Sequence, residues 1–174
     1  VVAAFTAVNR IDDFAYTPEQ NIAHSMTALM AQNKGAGKKN RMQEGFRCGM
    51  VLESIYGIFI FLVCFIFAKP LMCLFVQDEE VIMHGVTYLH LISIMYILPA
   101  FTNGIQGFFR GIGDLKITLI SSLVNMTVRV IVAAPLVFSL HLGIEALPYS
   151  YLAGWIGMLM AELPLLIRTY KAYE

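Results

Sequence analysis

Long apolar runs separated by short polar segments dominate this chain. Four of the runs hold the roughly 20 mostly apolar residues with which a helix crosses about 30 Å of hydrocarbon. They cover residues 46–68, 81–109, 117–140 and 146–167. The opening residues 2–32 are long enough for a fifth span but carry more polar groups. The pattern predicts an all-α fold, a polytopic bundle of transmembrane helices.

The composition supports a membrane protein and argues against several functional classes. Of the 174 residues, 58% are hydrophobic and 14% are charged, whereas about a quarter would be charged in an ordinary soluble domain. The formal net charge is zero and no basic stripe alternates with aromatic residues, so membrane lipid and not nucleic acid is the expected partner. The sequence has no HExxH, GxSxG or P-loop motif. We therefore expect neither an enzyme nor a bound metal or cofactor.

Lysine and arginine in the connections predict the orientation of the helices, because cytoplasmic loops are enriched in them. The basic connections, predicted to be cytoplasmic, are the loops 33–45 and 110–116 and the tail 168–174. The connections 69–80 and 141–145 hold one basic residue between them and are predicted to be external. This alternation requires residues 2–32 to cross as well. We predict five spans in the cell membrane, with the start of the chain external and its end cytoplasmic.

Helical spacing divides the polar residues of the first predicted span between two faces. One face, whose members step by three or four positions, is predicted to point into the bundle: Asn9, Asp13, Thr17, Gln20, His24 and Thr27. Asp12 and Glu19 are seven residues apart and lie together on another side. Pro18 lacks a backbone donor, so a bend is predicted there.

Two spans in the middle of the chain hold polar residues at depth. Glu53 follows a basic segment by about two turns and could snorkel towards the cytoplasmic interface rather than act in a site. Pro99 is predicted to bend the third span, beyond which Asn103 and Gln106 share one face. For these residues a structural hydrogen bond and a substrate contact both stay open.

An arginine on the fourth span needs a partner. Arg129 lies four residues after Asn125, and a charge at that depth must find a carboxylate, carbonyl groups or water. Glu162 on the last span is one candidate partner, and snorkelling of that glutamate is the alternative.

Three motifs in series resemble a known family. The chain reads FTAVNRIDDFAYTPEQNIAHSMTALMAQNKGAGKKNR, then PLMCLFVQDEEV, then GFFRGIGDLK. In this order, and over essentially the whole chain, they resemble the C-terminal lobe of multidrug and toxic compound extrusion (MATE) transporters. The resemblance implies a twelve-helix antiporter with two six-helix lobes around a cavity, which expels small organic, often cationic, drug-like compounds in exchange for Na⁺ or H⁺. This chain would supply the eighth to twelfth helices, and its partner would be the N-terminal lobe.

The family's coupling residues do not carry over to this chain. In the NorM-like branch an ion-binding acid lies on the tenth helix ahead of the FRG motif, a place held here by Pro99 or an apolar neighbour. In the DinF-like branch the key aspartate lies on the first helix, which is not part of this chain. We place the chain closer to the DinF-like branch, and the choice between Na⁺ and H⁺ stays open.

The resemblance gives the polar residues candidate roles in a substrate or ion cavity. The three carboxylates are candidates for cation or proton binding, and the others for lining the cavity. The candidates are Asp12, Asp13, Glu19, Gln20, His24, Asn103, Gln106 and Arg129.

Two other functions compete with drug efflux. A lipid-linked precursor flippase of the same superfamily would share the helices and a polar cavity. Because its cargo carries pyrophosphate, its cavity is expected to be more cationic. This chain has only Arg10 and Arg129 at depth, with three acids nearby, which favours drug efflux. The third hypothesis is a truncated chain that transports nothing or serves in assembly.

Overall fold

The computed structural model describes residues 2–138 and 146–171, and within them the chain is helical without a strand. The helices are α1 (Val2–Gly35), α2 (Lys39–Ile66), α3 (Ala68–Cys73), α4 (Glu79–Ser93), α5 (Ile97–Ile112), α6 (Leu115–Phe138) and α7 (Ala146–Lys171). The predicted all-α fold is confirmed. The predicted external connection 141–145, the end of the fourth apolar run and the last three residues of the tail lie outside the described residues.

The helices that are long and apolar enough to cross a membrane are α2, α6 and α7. The pair α4 and α5 passes the same test together, as one span bent by 47° at the break between them. Among the described helices, α1 has the length but not the apolar character. Its crossing, and with it the count of five spans, stays a prediction.

The two connections that are predicted to be cytoplasmic are short in the structure. Only residues 36–38 separate α1 from α2, and only 113 and 114 separate α5 from α6. Lysine and arginine are good helix formers, so helices continue into the basic segments instead of stopping at the edge of the apolar runs. Gly113 ends α5 with a φ of 83°, and the amide of Asp114 donates to the carbonyl of Phe109 at 2.9 Å. Glycine suits this left-handed position because it has no side chain.

Proline has a different effect in each of the two helices where a bend is predicted. The break between α4 and α5 falls at residues 94–96, directly ahead of Pro99 in the first turn of α5. Pro99 cannot donate to the carbonyl of Met95, which accounts for the interruption there and confirms the predicted bend. α1, in contrast, stays one helix through Pro18, and a bend at Pro18 stays a prediction.

Helix α4 begins with a side-chain cap. The Asp78 carboxylate accepts hydrogen bonds from the backbone amides of Glu80 at 3.0 Å and Val81 at 3.1 Å. Glu79 and Glu80 in the first turn add negative charge at the positive end of the helix dipole.

Asp78→Ala is expected to lower the free energy of unfolding by about 1 kcal/mol, because two amides at the start of α4 lose their acceptor. The thermal midpoint of the detergent-solubilised protein measures this. Asp78→Asn is the matched control, since its side chain still caps, and it should stay within a few tenths of a kcal/mol of the parent. Equal losses for the two variants would show that the cap is not the cause.

Three helices, α1, α2 and α5, form the centre of the bundle, and α6 and α7 form a pair that joins it through α5. The buried face of α1 is built largely from small or flexible apolar residues, among them Ala15, Ala23 and Met30. Against it lie Gly107 and Gly111 of α5, where an added Cβ would come within 2.7 Å of the carbonyl oxygens of Ala23 and Thr27 respectively. Small residues of this kind let helices in a membrane approach closely.

Candidate functional site

The two polar faces of α1 differ in burial. On the face predicted to point into the bundle, four residues are exposed and two are partly buried: Asp13, Thr17, Gln20 and His24, then Asn9 and Thr27. Most of this face is left uncovered by the described helices, so its direction, towards the interior of the complete bundle or a water-filled cavity, stays a prediction. The face that packs against α2 and α5 instead carries the small residues and Glu19. Periodicity groups the residues correctly, but the close approach of neighbouring helices decides which face is buried.

A cavity of about 290 Å³ lies between α1, the break before α5, α6 and α7. One wall carries Asp12, which is half-buried, and another carries Arg129. Aromatic side chains from three parts of the chain complete it. The lining residues are Asp12, Tyr16, Ile92, Met95, Tyr96, Pro99, Arg129, Tyr151 and Trp155. The cavity thus combines one acid, one base and several flat rings, a composition that suits organic molecules with a polar group.

Aromatic rings hold the Arg129 guanidinium in place. Its central carbon lies 4.4 Å from the ring centre of Tyr151 and 5.1 Å from that of Trp155. Such cation–π contacts stabilise a desolvated arginine by about 2 kcal/mol. Gly154 makes the arrangement possible, because an added Cβ there would lie 2.7 Å from the Arg129 Cγ.

Glu162 is not the partner of Arg129 that the sequence offered. Its side chain is fully buried, so it does not snorkel either. The Gln106 amide donates to its Oε1 at 3.3 Å. Glu162 therefore joins α7 to α5. In the cavity, the neighbours of the Arg129 guanidinium are the rings of Tyr151 and Trp155 and the carboxyl-bearing Asp12.

A second, polar cavity of about 230 Å³ adjoins the first and shares Tyr16, Arg129 and Trp155 with it. Its polar members come from α5 and α6, and the Tyr16 hydroxyl donates to the Asn103 Oδ1 at 3.3 Å. The remaining lining residues are Asn103, Gln106, Ser122, Asn125, Met126 and Met158. The predicted pair Asn103 and Gln106 thus lies beside Arg129 in one site.

Glu53 occupies the bundle centre and not the interface. Its side chain, like that of Glu19, has no exposed surface, so the predicted snorkelling is wrong. An added Cβ on Gly104 would lie 3.5 Å from the Glu53 Cγ, an ordinary contact distance, and 2.5 Å from the Met50 Sδ, so α5 packs directly on this part of α2. A count of residues from the basic segment could not show this, because α2 begins 14 residues before Glu53 and the helices packed around it decide which of its residues are buried.

Comparison with known proteins bears on this arrangement of helices and cavities. The family model described as MatE matches residues 1–136. The chain belongs to the MatE family. A probable multidrug resistance protein NorM of Thermotoga maritima is 24% identical over 150 residues, which cover 86% of this chain and 31% of that protein. The probable multidrug resistance protein YoeA of Bacillus subtilis is 25% identical over 173 residues, covering 99% of this chain and 36% of that protein.

Solved structures show that the MatE chain has the fold of this family. A crystal structure of MATE in the bent conformation matches with a TM-score of 0.91 at 15% identity, covering 98% of this chain and 38% of that chain. The MatE chain spans about a third of the length of the curated relatives it matches. It is part of a multi-pass membrane protein. None of these similarities places it on the DinF-like branch, which stays a prediction.

The fold of the MatE chain distributes the predicted site residues over four places. Asp12 and Arg129 share the first cavity, Asn103 and Gln106 share the second with Arg129, and Glu19 lies in the bundle centre. Asp13, Gln20 and His24 lie on the exposed face of α1. Sequence reasoning missed the rings of Tyr16, Tyr96, Tyr151 and Trp155, because aromatic residues in an apolar chain carry no signal until helices bring them together.

Proposed function

We propose that this chain forms part of one lobe of a multidrug efflux antiporter, which expels small organic compounds across the cell membrane in exchange for H⁺ or Na⁺. Membership of the MatE family and the names of the similar proteins support this proposal. According to this proposal, the chain lines one side of a transport passage. The rest of the transporter, which includes a second lobe, forms the other side. The start of the chain is external and its end cytoplasmic.

The observation that carries the proposal is the exposed polar face of α1. Asp13, Gln20 and His24 lie on the outer surface of a helix in a membrane bundle. Charged and polar groups in a membrane face a water-filled cavity or another part of the protein, because exposure to lipid costs several kcal/mol. A transport passage provides such a surrounding, and the adjoining cavity of Asp12 and Arg129 supplies a place for a polar organic group.

Asp13→Asn in the full-length protein is expected to lower ion-driven efflux of a fluorescent organic cation from proteoliposomes about tenfold. The change removes the carboxylate charge that attracts a cation to the exposed face, and tenfold corresponds to about 1.4 kcal/mol. Separate Na⁺ and H⁺ gradients identify the driving ion.

Glu44→Gln is the matched control, since Glu44 is an exposed carboxylate near the cytoplasmic end of α2, and it should transport like the parent. Undiminished efflux by Asp13→Asn at equal protein level would remove Asp13 from the passage. Two further results would replace the proposal. Movement of a pyrophosphate-linked lipid without drug efflux would indicate a flippase, and no exchange by the full-length protein would indicate a chain without transport activity.

A further inference from the structure

Two carboxyl groups lie together in the centre of the lobe. Glu19 is at the middle of α1 and Glu53 at the middle of α2, and both side chains are 0% exposed. None of their four carboxyl oxygens has a hydrogen-bond partner among the described residues. A buried carboxylate without a partner is strongly destabilising, so these groups need an explanation that packing does not supply.

The register of α1 and α2 places the two carboxyls opposite each other. The helices are antiparallel neighbours, and the Tyr56 hydroxyl donates to the carbonyl of Ala15 at 3.1 Å. Glu19 lies one helical turn after Ala15 on α1, and Glu53 lies one turn before Tyr56 on α2. The same antiparallel register therefore brings Glu19 opposite Glu53. Beyond them the side chain of Met26 packs on Gly49. From the third side α5 closes the site, because the Glu53 Cγ lies 3.5 Å from the place of a Cβ on Gly104, the residue after Asn103.

A third polar group points at this pair from α5. Asn103 is 7% exposed, and its Oδ1 accepts the hydroxyl of Tyr16 at 3.3 Å. Its Nδ2 has no partner of ordinary hydrogen-bond geometry among the described residues and lies near the Glu19 carboxyl. The NH₂ group of Asn103 is therefore available as a donor to the pair, whereas its oxygen already accepts a hydrogen bond from Tyr16.

The other titratable groups around the pair do not neutralise it. α1 adds Asp12 and Tyr16, and α2 adds Tyr56. From α4, His90 contacts the carbonyl of Phe65, 12 residues beyond Glu53 along α2. The remaining groups on these elements lie towards the two ends of the bundle. Towards the end that holds α3 are Cys64, Lys69, Cys73, His84, Tyr88 and Tyr96, and towards the other end are His24, Lys34, Arg47, Cys48 and Arg110. Arg129 faces Asp12, two turns from Glu19.

We propose that Glu19 and Glu53 form an acid pair that shares one proton and serves as a proton-binding site inside the lobe. Two carboxylates that face each other in an apolar centre cannot both keep a charge, because they repel each other and lack solvent. One shared proton removes one charge and supplies the missing hydrogen-bond donor. The second donor is the Asn103 amide. The assignment of this proton to the transport cycle rests on the proposed function, whereas the acid pair itself does not.

The groups around the pair suit a proton better than a metal cation. Sodium needs several oxygen ligands, but the third group that reaches the pair is the NH₂ of Asn103, which repels a cation and favours a carboxylate. The described residues also contain no cluster of three His, Cys, Asp or Glu side chains able to hold a metal ion. The site therefore has one donor and two acids, the arrangement of a shared proton.

The test is a pH titration of the carboxyl infrared bands in the full-length protein in lipid, with the variants Glu19→Gln and Glu53→Gln. Each change should remove one carboxyl band and shift the titration midpoint of the remaining partner by at least about one pH unit, because the two groups titrate as a pair. The reciprocal variants test the same coupling, so one that fails to fold leaves the other decisive. Glu162→Gln, also fully buried, is the matched control and should leave both midpoints unchanged.

An unchanged Glu53 midpoint in Glu19→Gln, or the reverse, would overturn the acid pair. A midpoint that moves with Na⁺ concentration, at constant ionic strength, would overturn the proton in favour of a metal cation. The transport role is judged separately, by H⁺-driven efflux in the same variants. Coupled titration with undiminished efflux keeps the site and removes its role in transport, whereas a parent protein without efflux removes the proposed function and leaves the site standing.

Discussion

The double variant Gly107→Ala/Gly111→Ala is expected to yield little folded protein. Each new Cβ would lie 2.7 Å from a backbone carbonyl oxygen of α1, a separation that only movement of the backbone can relieve. Overpacking at one such position costs about 1–3 kcal/mol, and the two positions act on the same helix contact. The yield of monodisperse protein in detergent and its thermal midpoint measure the effect.

Gly35→Ala is the matched control, because the same substitution there meets no atom within 4 Å. Alanine is a better helix former than glycine by up to about 1 kcal/mol, so this variant should be as stable as the parent or slightly more so. The same change from glycine to alanine is therefore expected to lower the stability of the protein at positions 107 and 111 but not at position 35. Similar midpoints for the double variant and the control would show that α1 and α5 do not pack as described.

Replacement of Arg129 by methionine is expected to lower efflux at least about tenfold. The variant removes the cation held between Tyr151 and Trp155, a contact worth about 2 kcal/mol, and leaves Asp12 without the facing positive charge in the cavity. Arg129→Lys keeps the charge and part of the ring contact but not the flat guanidinium. Its efflux should fall between those of Arg129→Met and the parent.

The control for this series is Arg168→Met, at an exposed position near the end of α7. It removes the same side chain outside the cavity and should transport like the parent. Dissociation constants for the organic cation, measured on the same proteins, separate weaker binding from slower exchange. Equal efflux by Arg129→Met and Arg129→Lys would show that the charge in the cavity has no role.

Local chemistry could be read from particular residues before the structure was known. The apolar run from residue 81 predicts α4 to within two residues of its start, and the break before α5 follows from the missing donor of Pro99. The spacing of the polar residues on α1 separated two faces correctly. Glu19 also stood apart in the sequence, because it is a charge seven residues from Asp12 on a side otherwise composed of apolar residues.

Other properties depend on contacts between residues distant in the chain. The direction of each α1 face depends on the small residues of α5, which lie about 80 positions later. The antiparallel register of α1 and α2 decides which residues lie next to Glu53. The rings that contact Arg129 of α6 belong to α7, more than 20 residues later in the chain. No local pattern encodes these pairings.

The sequence by itself determined that this protein is a helical membrane bundle of the MatE family, because apolar length, turn chemistry and serial motifs are local properties of the chain. Only the tertiary structure decided which polar groups meet. It placed Asp12 and Arg129 in one ring-lined cavity, and buried both Glu19 and Glu53 completely in the bundle centre. The physical reason is that burial and electrostatic interaction depend on separations across helices, which are fixed by close packing and not by position along the chain.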